Sequence, residues 1–544
     1  MRKTLLLLTA LSFNLLYALG QDTPQHDKAY TGPLNKVIGE AGNDTGFDMA
    51  PETTPKVVAA AVSSIKTKMP VGPFQPNWES LKANYKVPEW YKGAKFGLCM
   101  HWGLYSVPAY HNEWYEKHMY TDGGIGAWHA QHFGEQDKFG YKDFIPMFSA
   151  EKFDPEAWAD LIQKSGARFF MPACQHHDGF ALWDSQVTPF NAKQMGPKRD
   201  LIGELCKAVR KRGLKFGFTN HQIENFQFIN PPQAMLDKMK AEQADLFDPK
   251  WASFYNVADR SDEACRKFLV GWFERNVELI DKYQPDMLWF DNGVDQRYLD
   301  PLKLMVAAYY YNSARKWGKE VSLNTKKAAF APSGVNTATI GSVLDFEGKT
   351  PPGIRTGTWD VDTEIGSTWG YTSDMRVSNA SAIVGRLIDI VSKNGTMMLN
   401  LSPKADGTIP QEQQQTLLGV GKWLAVNGDA VYDTHNWITF AEGGQDAPKI
   451  YFTVKGDALY AIILGKWPGE SVTITSLAQD KAPEGKVTSV TMLGSKEKLK
   501  FTQEVAGLKI NLPVAAPCDI AYTLKITGLK MNPATTTASG SPMN

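Results

Sequence analysis

Polar side chains that could do chemistry follow several short apolar segments of the chain, at the points where those segments end. His101 follows the first segment, His176 and His177 follow the second, and Asp291 and Glu347 follow two later ones. Imidazole and carboxylate groups at the ends of buried strands can bind hydroxyl groups and supply nucleophilic and acid–base catalysis. The sequence therefore predicts that these side chains meet at one site.

Asp291 and Glu347 are the candidate catalytic pair. Asp291 directly follows an apolar strand that would hold it rigid as a nucleophile, and Glu347 could act as acid/base if desolvation raises its pKa. Retaining glycosidases need two carboxylates about 5 Å apart, one to attack the sugar carbon and one to protonate the leaving oxygen. A strand-end Asp can instead cap the following helix, so capping remains an alternative for Asp291.

A metal site is another interpretation of the same region. His176, His177 and Asp178 follow one another and resemble a ligand cluster. Neighbouring residues of a strand point to opposite faces, however, so these side chains can share one ion only if the strand has already ended. We predict no metal ion at the site.

A parallel scaffold is needed to bring these residues together. Residues 76–430 alternate short apolar runs with longer amphipathic ones, the pattern of parallel strands joined by helices, and seven or so such units predict a TIM-like (β/α) barrel. The predicted strands are residues 95–101, 168–174, 215–219, 287–291, 321–324, 342–346 and 396–401. The predicted helices are residues 155–165, 199–212, 262–283, 301–316, 380–393 and 410–427.

The flanking segments have different patterns. Residues 431–530 alternate with period two between short turns, which predicts a C-terminal β-sandwich. Residues 1–20 have a basic start, a short apolar core and small residues before the exit, so we predict a cleaved signal peptide and a secreted or periplasmic protein. Residues 21–75 are a predicted leader or linker, and residues 531–544 are a predicted disordered tail.

Composition narrows the classes of partner. The chain has 544 residues, of which 43% are hydrophobic, so it can bury large cores in more than one domain. Lys plus Arg equals Asp plus Glu at 58 each, which leaves no net charge to attract nucleic acid or an anionic membrane surface. After the signal segment no apolar run is long enough for a transmembrane helix. We expect a neutral substrate, no nucleic acid and no integral membrane segment.

Longer motifs in the chain resemble those of glycoside hydrolase family 29, the α-L-fucosidases. The resemblance extends from about residue 76 to residue 407, and its strength lies in the order and spacing of several segments together. These segments include Lys95-Phe-Gly-Leu-Cys-Met-His-Trp-Gly-Leu-Tyr-Ser-Val-Pro, Glu113-Trp-Tyr, His176-His-Asp-Gly-Phe-Ala-Leu-Trp, Leu288-Trp-Phe-Asp, Ser367-Thr-Trp-Gly-Tyr and Asn394-Gly-Thr-Met-Met-Leu-Asn-Leu-Ser-Pro-Lys-Ala-Asp-Gly.

The resemblance implies a catalytic barrel followed by a β-sandwich, no cofactor, and a fucosylated oligosaccharide or glycoconjugate as substrate. It implies retaining hydrolysis of terminal α-L-fucosyl linkages through a glycosyl-enzyme intermediate. It assigns the nucleophile to Asp291 and the acid/base to Glu347, with Glu364 as the reserve candidate. It assigns contacts with the sugar to His101, Glu113, Trp114, His176, His177, Trp289 and Trp369.

The chain departs from the family pattern at two positions. Many relatives carry Tyr-Tyr-Ser after the third strand, whereas this chain has Thr219-Asn220-His221, so His221 or Asn220 could replace the missing Tyr. The usual Arg near the fifth strand is replaced by Thr325-Lys326, which loses a planar fork for bidentate contacts. Two alternatives therefore stay open: the same machinery acting on a related sugar such as α-L-galactose or a sulfated fucose, or a glycan-binding protein without turnover.

Overall fold

The computed structural model describes residues 52–531, except residues 292, 327–329, 331–338, 356 and 446. The predicted signal peptide and nearly all of the predicted tail lie outside the described residues. The described part comprises a closed parallel barrel followed by two antiparallel sheets.

The barrel contains eight strands, arranged in the order in which they follow one another along the chain. The strands are β1 Phe96–Met100, β2 Phe169–Gln175, β3 Lys215–Asn220, β4 Met287–Phe290, β5 Ser322–Lys326, β6 Val343–Asp345, β7 Trp359–Glu364 and β8 Gly395–Leu401. The barrel closes because β8 pairs in parallel with β1, with Met397 opposite Phe96. This architecture confirms the predicted TIM-like barrel.

Helices cover the outside of the barrel and form its connections. Each of the six helices predicted from the sequence is present within two residues of its expected bounds. Among the described residues, no helix combines the length and the apolar character needed to cross a membrane. The helices are α1 Pro55–Ser64, α2 Trp78–Asn84, α3 Glu89–Ala94, α4 Tyr115–Thr121, α5 Gly123–Phe133, α6 Pro155–Lys164, α7 Leu201–Lys211, α8 Asn225–Phe228, α9 Gln233–Ala241, α10 Ala252–Tyr255, α11 Asp262–Tyr283, α12 Asp300–Lys316, α13 Ala380–Ser392 and α14 Gln411–Asn427.

Strand β7 is the barrel strand that was not predicted. Its sequence contains three carboxylates in six residues, which is unusual for a buried strand. Asp360 is nonetheless fully buried, and its Oδ2 accepts a hydrogen bond from Nδ2 of Asn324 at 3.0 Å. Burial raises the pKa of Asp360 to about 7, so this carboxyl group can lose its charge inside the barrel.

The predicted leader, residues 21–75, contains helix α1 in its described part. Oγ1 of Thr54 caps this helix by accepting a hydrogen bond from the backbone N–H of Val57 at 3.3 Å. Val58 and Ala61 are fully buried where α1 packs against α11. This part of the predicted leader or linker is therefore a packed helix, whose apolar residues recur with helical spacing.

The C-terminal region forms two antiparallel sheets, with strand orders β13-β16-β11-β10-β9 and β12-β15-β14. Their strands are β9 His435–Gly444, β10 Ala447–Lys455, β11 Ala458–Leu464, β12 Ser471–Ile474, β13 Gly485–Met492, β14 Phe501–Glu504, β15 Gly507–Asn511 and β16 Ala521–Leu529. The predicted C-terminal β domain is thus confirmed.

The central strand β11 packs on both of its faces. Tyr460 and Ile462 belong to the apolar core that is continuous with the barrel. Leu459 and Ile463 belong to the separate core of the C-terminal sheets. Successive strand residues point to opposite faces, so one short strand contributes to two cores. Nε1 of Trp423, on α14, also donates a hydrogen bond to the carbonyl oxygen of Ala521 at 2.9 Å.

Candidate active site

A cavity of about 250 Å³ lies at the carboxyl ends of the barrel strands. All ten residues predicted as catalytic or sugar-binding line it, and Glu364 does not. Three further lining residues were not predicted for the site, namely Glu224, Lys326 and Asp362. The predicted ten are His101, Glu113, Trp114, His176, His177, His221, Trp289, Asp291, Glu347 and Trp369.

Asp291 follows the last residue of β4, and its carboxylate is held by His221 and Lys326, with the ring of His177 farther away. Nδ1 of His221 lies 2.8 Å from Oδ2, and Nε2 of His177 lies 3.7 Å from the same oxygen. Nζ of Lys326 lies 3.0 Å from Oδ1. Burial alone would raise the pKa of Asp291, but the charge of Lys326 and then His221 hold it well below its usual range. Asp291 is therefore ionised, as a nucleophile must be.

Asp291 does not cap the next long helix, so the capping alternative is wrong there. Helix α12 begins at Asp300, and its N-cap position is Leu299. The side chain of Asp291 instead faces the cavity, as does that of Trp289 two residues earlier on the same face of the strand. Nε1 of Trp289 donates to Oδ2 of Asp345 at 2.9 Å, which fixes the orientation of the indole.

Lys326 connects the two candidate catalytic carboxyl groups. Its Nζ lies 3.0 Å from Oδ1 of Asp291 and 2.7 Å from Oε1 of Glu347, so these two oxygens can be no farther apart than the sum, 5.7 Å. Burial alone would lower the pKa of Lys326, but Asp291 and Glu347 raise it well above its usual range. Lys326 is the last residue of β5, and this strand-end position was the signal that could have identified it.

Glu347 lies at a more open part of the cavity. Its side chain is 31% exposed and is paired with Lys326, so the expectation that Glu347 is desolvated is wrong. Partial exposure gives this carboxyl group access to solvent while it remains within reach of Asp291. Glu364 ends β7 but does not line the cavity, so the reserve candidate is not part of the cavity surface.

Hydrogen bonds fix the proton positions of the cavity histidines. Nδ1 of His101 lies 2.8 Å from Oδ1 of Asn400, and Nδ1 of His177 lies 3.0 Å from the carbonyl oxygen of His221. Because both partners are acceptors, each Nδ1 carries the proton and each Nε2 keeps a lone pair. Burial lowers the pKa of His101 and of His177 to about 3, so both rings are neutral.

Loop residues complete the wall of the cavity. Oε2 of Glu113 accepts a hydrogen bond from the backbone N–H of Gly370 at 3.1 Å, which links the loops after β1 and β7. The ring of Trp369 lies 5.1 Å from that of His101, and the ring of Trp114 lies 5.8 Å from that of His177, between centroids. The cavity thus combines flat apolar surfaces with hydrogen-bonding groups, as a sugar site requires.

The three lining residues that were not predicted have separate explanations. Glu224 follows β3, and its Oε2 lies 3.3 Å from Nδ1 of His177. Burial and then the charge of Asp291 raise the pKa of Glu224 well above its usual range, so it can donate a hydrogen bond. Asp362 lies on β7, the strand that the sequence did not reveal. Glu224 carried no signal beyond its position in a strand-end loop.

Two groups of side chains have the donor types and spacing of a metal site, with donor atoms within 4.8 Å of one another. Lys326, 3.0 Å from Asp291, places a positive charge beside the second group and opposes a cation there. Asp178 belongs to neither group, because its Oδ2 accepts a hydrogen bond from the hydroxyl of Tyr141 at 2.8 Å. The groups are His101, His176 and His221, and His177, His221 and Asp291.

The fold and the site together define a class of enzyme. A closed parallel barrel carries a buried, ionised carboxylate after β4 and a second, partly exposed carboxyl group after β6. Neutral imidazoles and indoles surround this pair. These are the features of a glycoside hydrolase.

Comparison with known families identifies the group to which the chain belongs. The model of the alpha-L-fucosidase family matches residues 61–429, and that of the alpha-L-fucosidase C-terminal domain matches residues 445–527. The chain is a member of the α-L-fucosidase family, and the resemblance to glycoside hydrolase family 29 is confirmed.

Individual relatives agree with this placement. The chain is 32% identical over 492 residues to the tissue alpha-L-fucosidase of Homo sapiens, covering 86% of this chain and 95% of the relative. It is 30% identical over 474 residues to the human plasma alpha-L-fucosidase, covering 84% and 93%. The alpha-fucosidase of Thermotoga maritima, solved in complex with fucose, is 32% identical with a TM-score of 0.66, covering 83% of this chain and 99% of that one.

Proposed function

We propose that this enzyme removes terminal α-L-fucosyl residues from glycans by double displacement, with Asp291 as nucleophile and Glu347 as acid/base. The observation that carries the proposal is the contact of Lys326 with both carboxyl groups, which limits their nearest oxygens to 5.7 Å. Retaining glycosidases place their two carboxyl groups about 5–5.5 Å apart, whereas inverting enzymes leave about 6.5–9.5 Å for a water molecule. The spacing in this chain therefore favours retention.

The two carboxyl groups differ in the way the mechanism needs. Asp291 is buried, ionised and fixed by His221, so it can attack the anomeric carbon and form a glycosyl ester. Glu347 is partly exposed, so it can deliver a proton to the leaving oxygen and later take one from an entering water. The absence of Glu364 from the cavity surface supports Glu347 over the reserve candidate.

Lys326 can keep a carboxylate partner throughout the cycle. Before attack, the negative charge that it stabilises is on Asp291. When the ester forms, Asp291 becomes neutral, and Glu347 acquires the negative charge because it has given its proton to the leaving oxygen. Nζ of Lys326 contacts an oxygen of each, so the ammonium faces the charge in both states. A compact ammonium on a flexible stem suits this exchange better than a planar guanidinium.

The neutral histidines support recognition of sugar hydroxyls. His101 and His177 hold their Nδ1 protons against fixed acceptors, so each can accept a hydroxyl proton at Nε2. Trp114, Trp289 and Trp369 offer apolar ring faces to the methyl group and the C–H surface of fucose. The related Thermotoga maritima enzyme has also been solved with a mechanism-based inhibitor, which supports the same class of chemistry.

A related sugar is the second candidate, because both departures from the family pattern contact the nucleophile. His221 and Lys326 each lie within 3.0 Å of a carboxylate oxygen of Asp291. Among the described lining residues, Lys326 is the single Lys or Arg, and it is already paired with two carboxyl groups. A sulfate ester would find no further cation among the described lining residues, which disfavours a sulfated fucose and leaves α-L-galactose as the main competitor.

The site of action is part of the proposal. The basic start, apolar core and small exit residues of residues 1–20 support export, so that the enzyme would act on oligosaccharides or glycoconjugates outside the cytoplasm. N-terminal sequencing of the secreted protein tests this point. Retention of the first twenty residues in the mature protein would contradict cleavage.

The reaction is tested by assaying residues 21–544 against aryl α-L-fucoside, aryl α-L-galactoside and aryl β-D-fucoside. We expect rapid release from the α-L-fucoside alone, and ¹H NMR of the first-formed sugar should show the α anomer, because two inversions restore the original configuration. A β anomer as the first product would overturn double displacement. Faster release from the α-L-galactoside would transfer the assignment to the second candidate.

A further inference from the structure

Three histidines at the ends of adjacent strands form a compact group in the cavity. The ring centroids of His101 and His176 are 5.4 Å apart, those of His101 and His221 are 5.2 Å apart, and those of His176 and His221 are 5.1 Å apart. Their donor nitrogens lie within 4.8 Å of one another. The residues follow β1, β2 and β3, so the backbone that carries them is fixed by the barrel.

Two of these rings are supported in the manner of metal ligands. Nδ1 of His101 donates to Oδ1 of Asn400 at 2.8 Å, which leaves Nε2 as the donor atom for an ion. Nδ1 of His221 donates to the carboxylate of Asp291 at 2.8 Å, and Nε2 faces Oγ1 of Thr219 at 2.9 Å. Metal-bound histidines usually donate their other N–H to a carboxylate or carbonyl group, which orients the ring and strengthens the donor.

His176 supplies the observation that points to a ligand. Its side chain is 4% exposed, and its Nδ1 has no hydrogen-bond partner among the described residues. A buried nitrogen without a hydrogen-bond partner carries a desolvation penalty of about 1–3 kcal/mol. A ligand that used the lone pair of this nitrogen would offset that penalty.

The charges of the cavity permit a cation near these rings. Lys326 is the single Lys or Arg among the described lining residues, and its Nζ contacts Asp291 and Glu347 at 3.0 and 2.7 Å. Two carboxyl groups thus face one ammonium, and Glu113 adds a third carboxyl group to the wall. Donor nitrogens in a tetrahedral zinc site lie about 2.0–2.1 Å from the ion, and those of the three rings already lie within 4.8 Å of one another.

We propose that His101, His176 and His221 form a reversible binding site for a divalent transition metal ion of the zinc class, and that the ion competes with the sugar for the cavity. Three imidazoles, with water as the fourth ligand, are a donor set that such ions favour. Because the three rings line the cavity that the sugar would enter, the bound ion is inhibitory and exchangeable and not a permanent structural centre. The inference rests on the proposed function only for the identity of the competing sugar.

His221 is the member of the group that departs from the family pattern. It occupies the segment in which many family members carry Tyr-Tyr-Ser, so relatives with that segment would offer two of the three imidazoles. The site would therefore make this enzyme more sensitive to zinc than fucosidases without the third histidine. Removal of the ion by a chelator would restore full activity, because Asp291 and Glu347 are not consumed.

Calorimetric titration of the full chain with ZnCl₂ tests the site without requiring turnover. We expect one ion per chain, and Co²⁺ in place of Zn²⁺ should give the visible absorption of a tetrahedral nitrogen site. His221→Gln should weaken binding by at least about 10–100-fold. His176→Gln should do the same if His221→Gln fails to fold. The matched control is His177→Gln, which removes a cavity histidine outside the group and should keep most of the affinity.

Competition is then tested with the aryl α-L-fucoside. Zinc should raise KM and leave kcat unchanged, and EDTA should reverse the effect. Equal zinc affinity in His221→Gln and the unmodified chain, or no binding at millimolar zinc, would overturn the site. If calorimetry shows the site but no fucoside is cleaved, the proposed function fails while the metal site stands.

Discussion

Nδ1 of His221 donates a hydrogen bond to Oδ2 of Asp291 across 2.8 Å, which joins the end of β3 to the end of β4. The residue that departs from the family pattern after the third strand is thus attached to the proposed nucleophile. Its ring also packs 5.3 Å from that of Trp289, between centroids. His221 therefore fixes the carboxylate of Asp291 and lines the cavity beside Trp289.

Replacing His221 by Phe removes this hydrogen bond and keeps a ring of similar size. A hydrogen bond to a charged group contributes about 1.5–3 kcal/mol. We therefore expect kcat/KM for the aryl α-L-fucoside to fall by about 10–150-fold. His132→Phe makes the same change at an exposed histidine outside the cavity and should leave kcat/KM unchanged. Equal activity of the two variants would contradict the role of His221.

Asp291→Ala should lower kcat by on the order of 10⁴-fold or more, because it removes the nucleophile. Added azide should restore release of the aryl group by attacking the anomeric carbon in place of the carboxylate. Asp374→Ala, at an exposed carboxylate outside the cavity, is the matched control. Normal turnover of Asp291→Ala without azide would exclude it as nucleophile, and circular dichroism should show that the variant is folded.

Glu347→Gln should slow substrates with poor leaving groups far more than activated aryl fucosides, because only the former need a proton on the departing oxygen. The measurement is the dependence of kcat/KM on the pKa of the leaving group. Glu364→Gln serves as the matched control at a carboxyl group that does not line the cavity. A steeper dependence in Glu364→Gln than in Glu347→Gln would transfer the acid/base role to Glu364.

Lys326→Met should move the acidic limb of the kcat/KM profile to higher pH. Lys326 holds the pKa of Asp291 below its usual range, so loss of the ammonium raises that pKa and leaves less ionised nucleophile at a given acidic pH. Lys326→Arg keeps the charge and should keep the limb near its original position. An unshifted limb in Lys326→Met would show that Asp291 does not set it.

Two helical glycines make a matched test of packing. A Cβ on Gly421 of α14 would lie 1.8 Å from the carbonyl oxygen of Lys164, so Gly421→Ala should lower the free energy of unfolding by about 1–3 kcal/mol. Gly271 of α11 has its nearest contact at 3.6 Å, on the flexible end of Arg275. Gly271→Ala should therefore raise stability by up to about 1 kcal/mol. Urea denaturation measures both, and a stabilising Gly421→Ala would contradict the close helix packing.

The sequence revealed those parts of the barrel in which apolar residues are continuous. Strand β1 is such a run, and β8 is one apart from Thr396 and Asn400; both were predicted close to their observed bounds. Strand β7 was missed because Asp360 and Asp362 are acidic. Its contacts come from neighbouring strands: Asn324 donates to the carboxylate of Asp360, and Asp345 accepts from the backbone N–H of Asp362. Such long-range partners are invisible in a local pattern.

The candidate site was predictable where a strand end coincided with a family motif, as at Asp291 and His176. Lys326 also lies at a strand end. Its replacement of the usual family Arg indicated the loss of a guanidinium but not the contacts that the Lys326 ammonium makes. Its contacts join residues from three different strands, so only the closed barrel brings them together. The exposure of Glu347 likewise depends on the tertiary arrangement of loops.

The double-sided packing of β11 limits how this enzyme can be divided. Tyr460 and Ile462 complete a core that the barrel helices begin, while Leu459 and Ile463 close the core of the small sheets. A chain cut after α14 would expose apolar side chains on the catalytic barrel. The excised C-terminal segment would expose the face of β11 that packs against them. The C-terminal sheets are therefore not an independent unit. A chimera that replaces this segment must preserve the side chains that face the barrel.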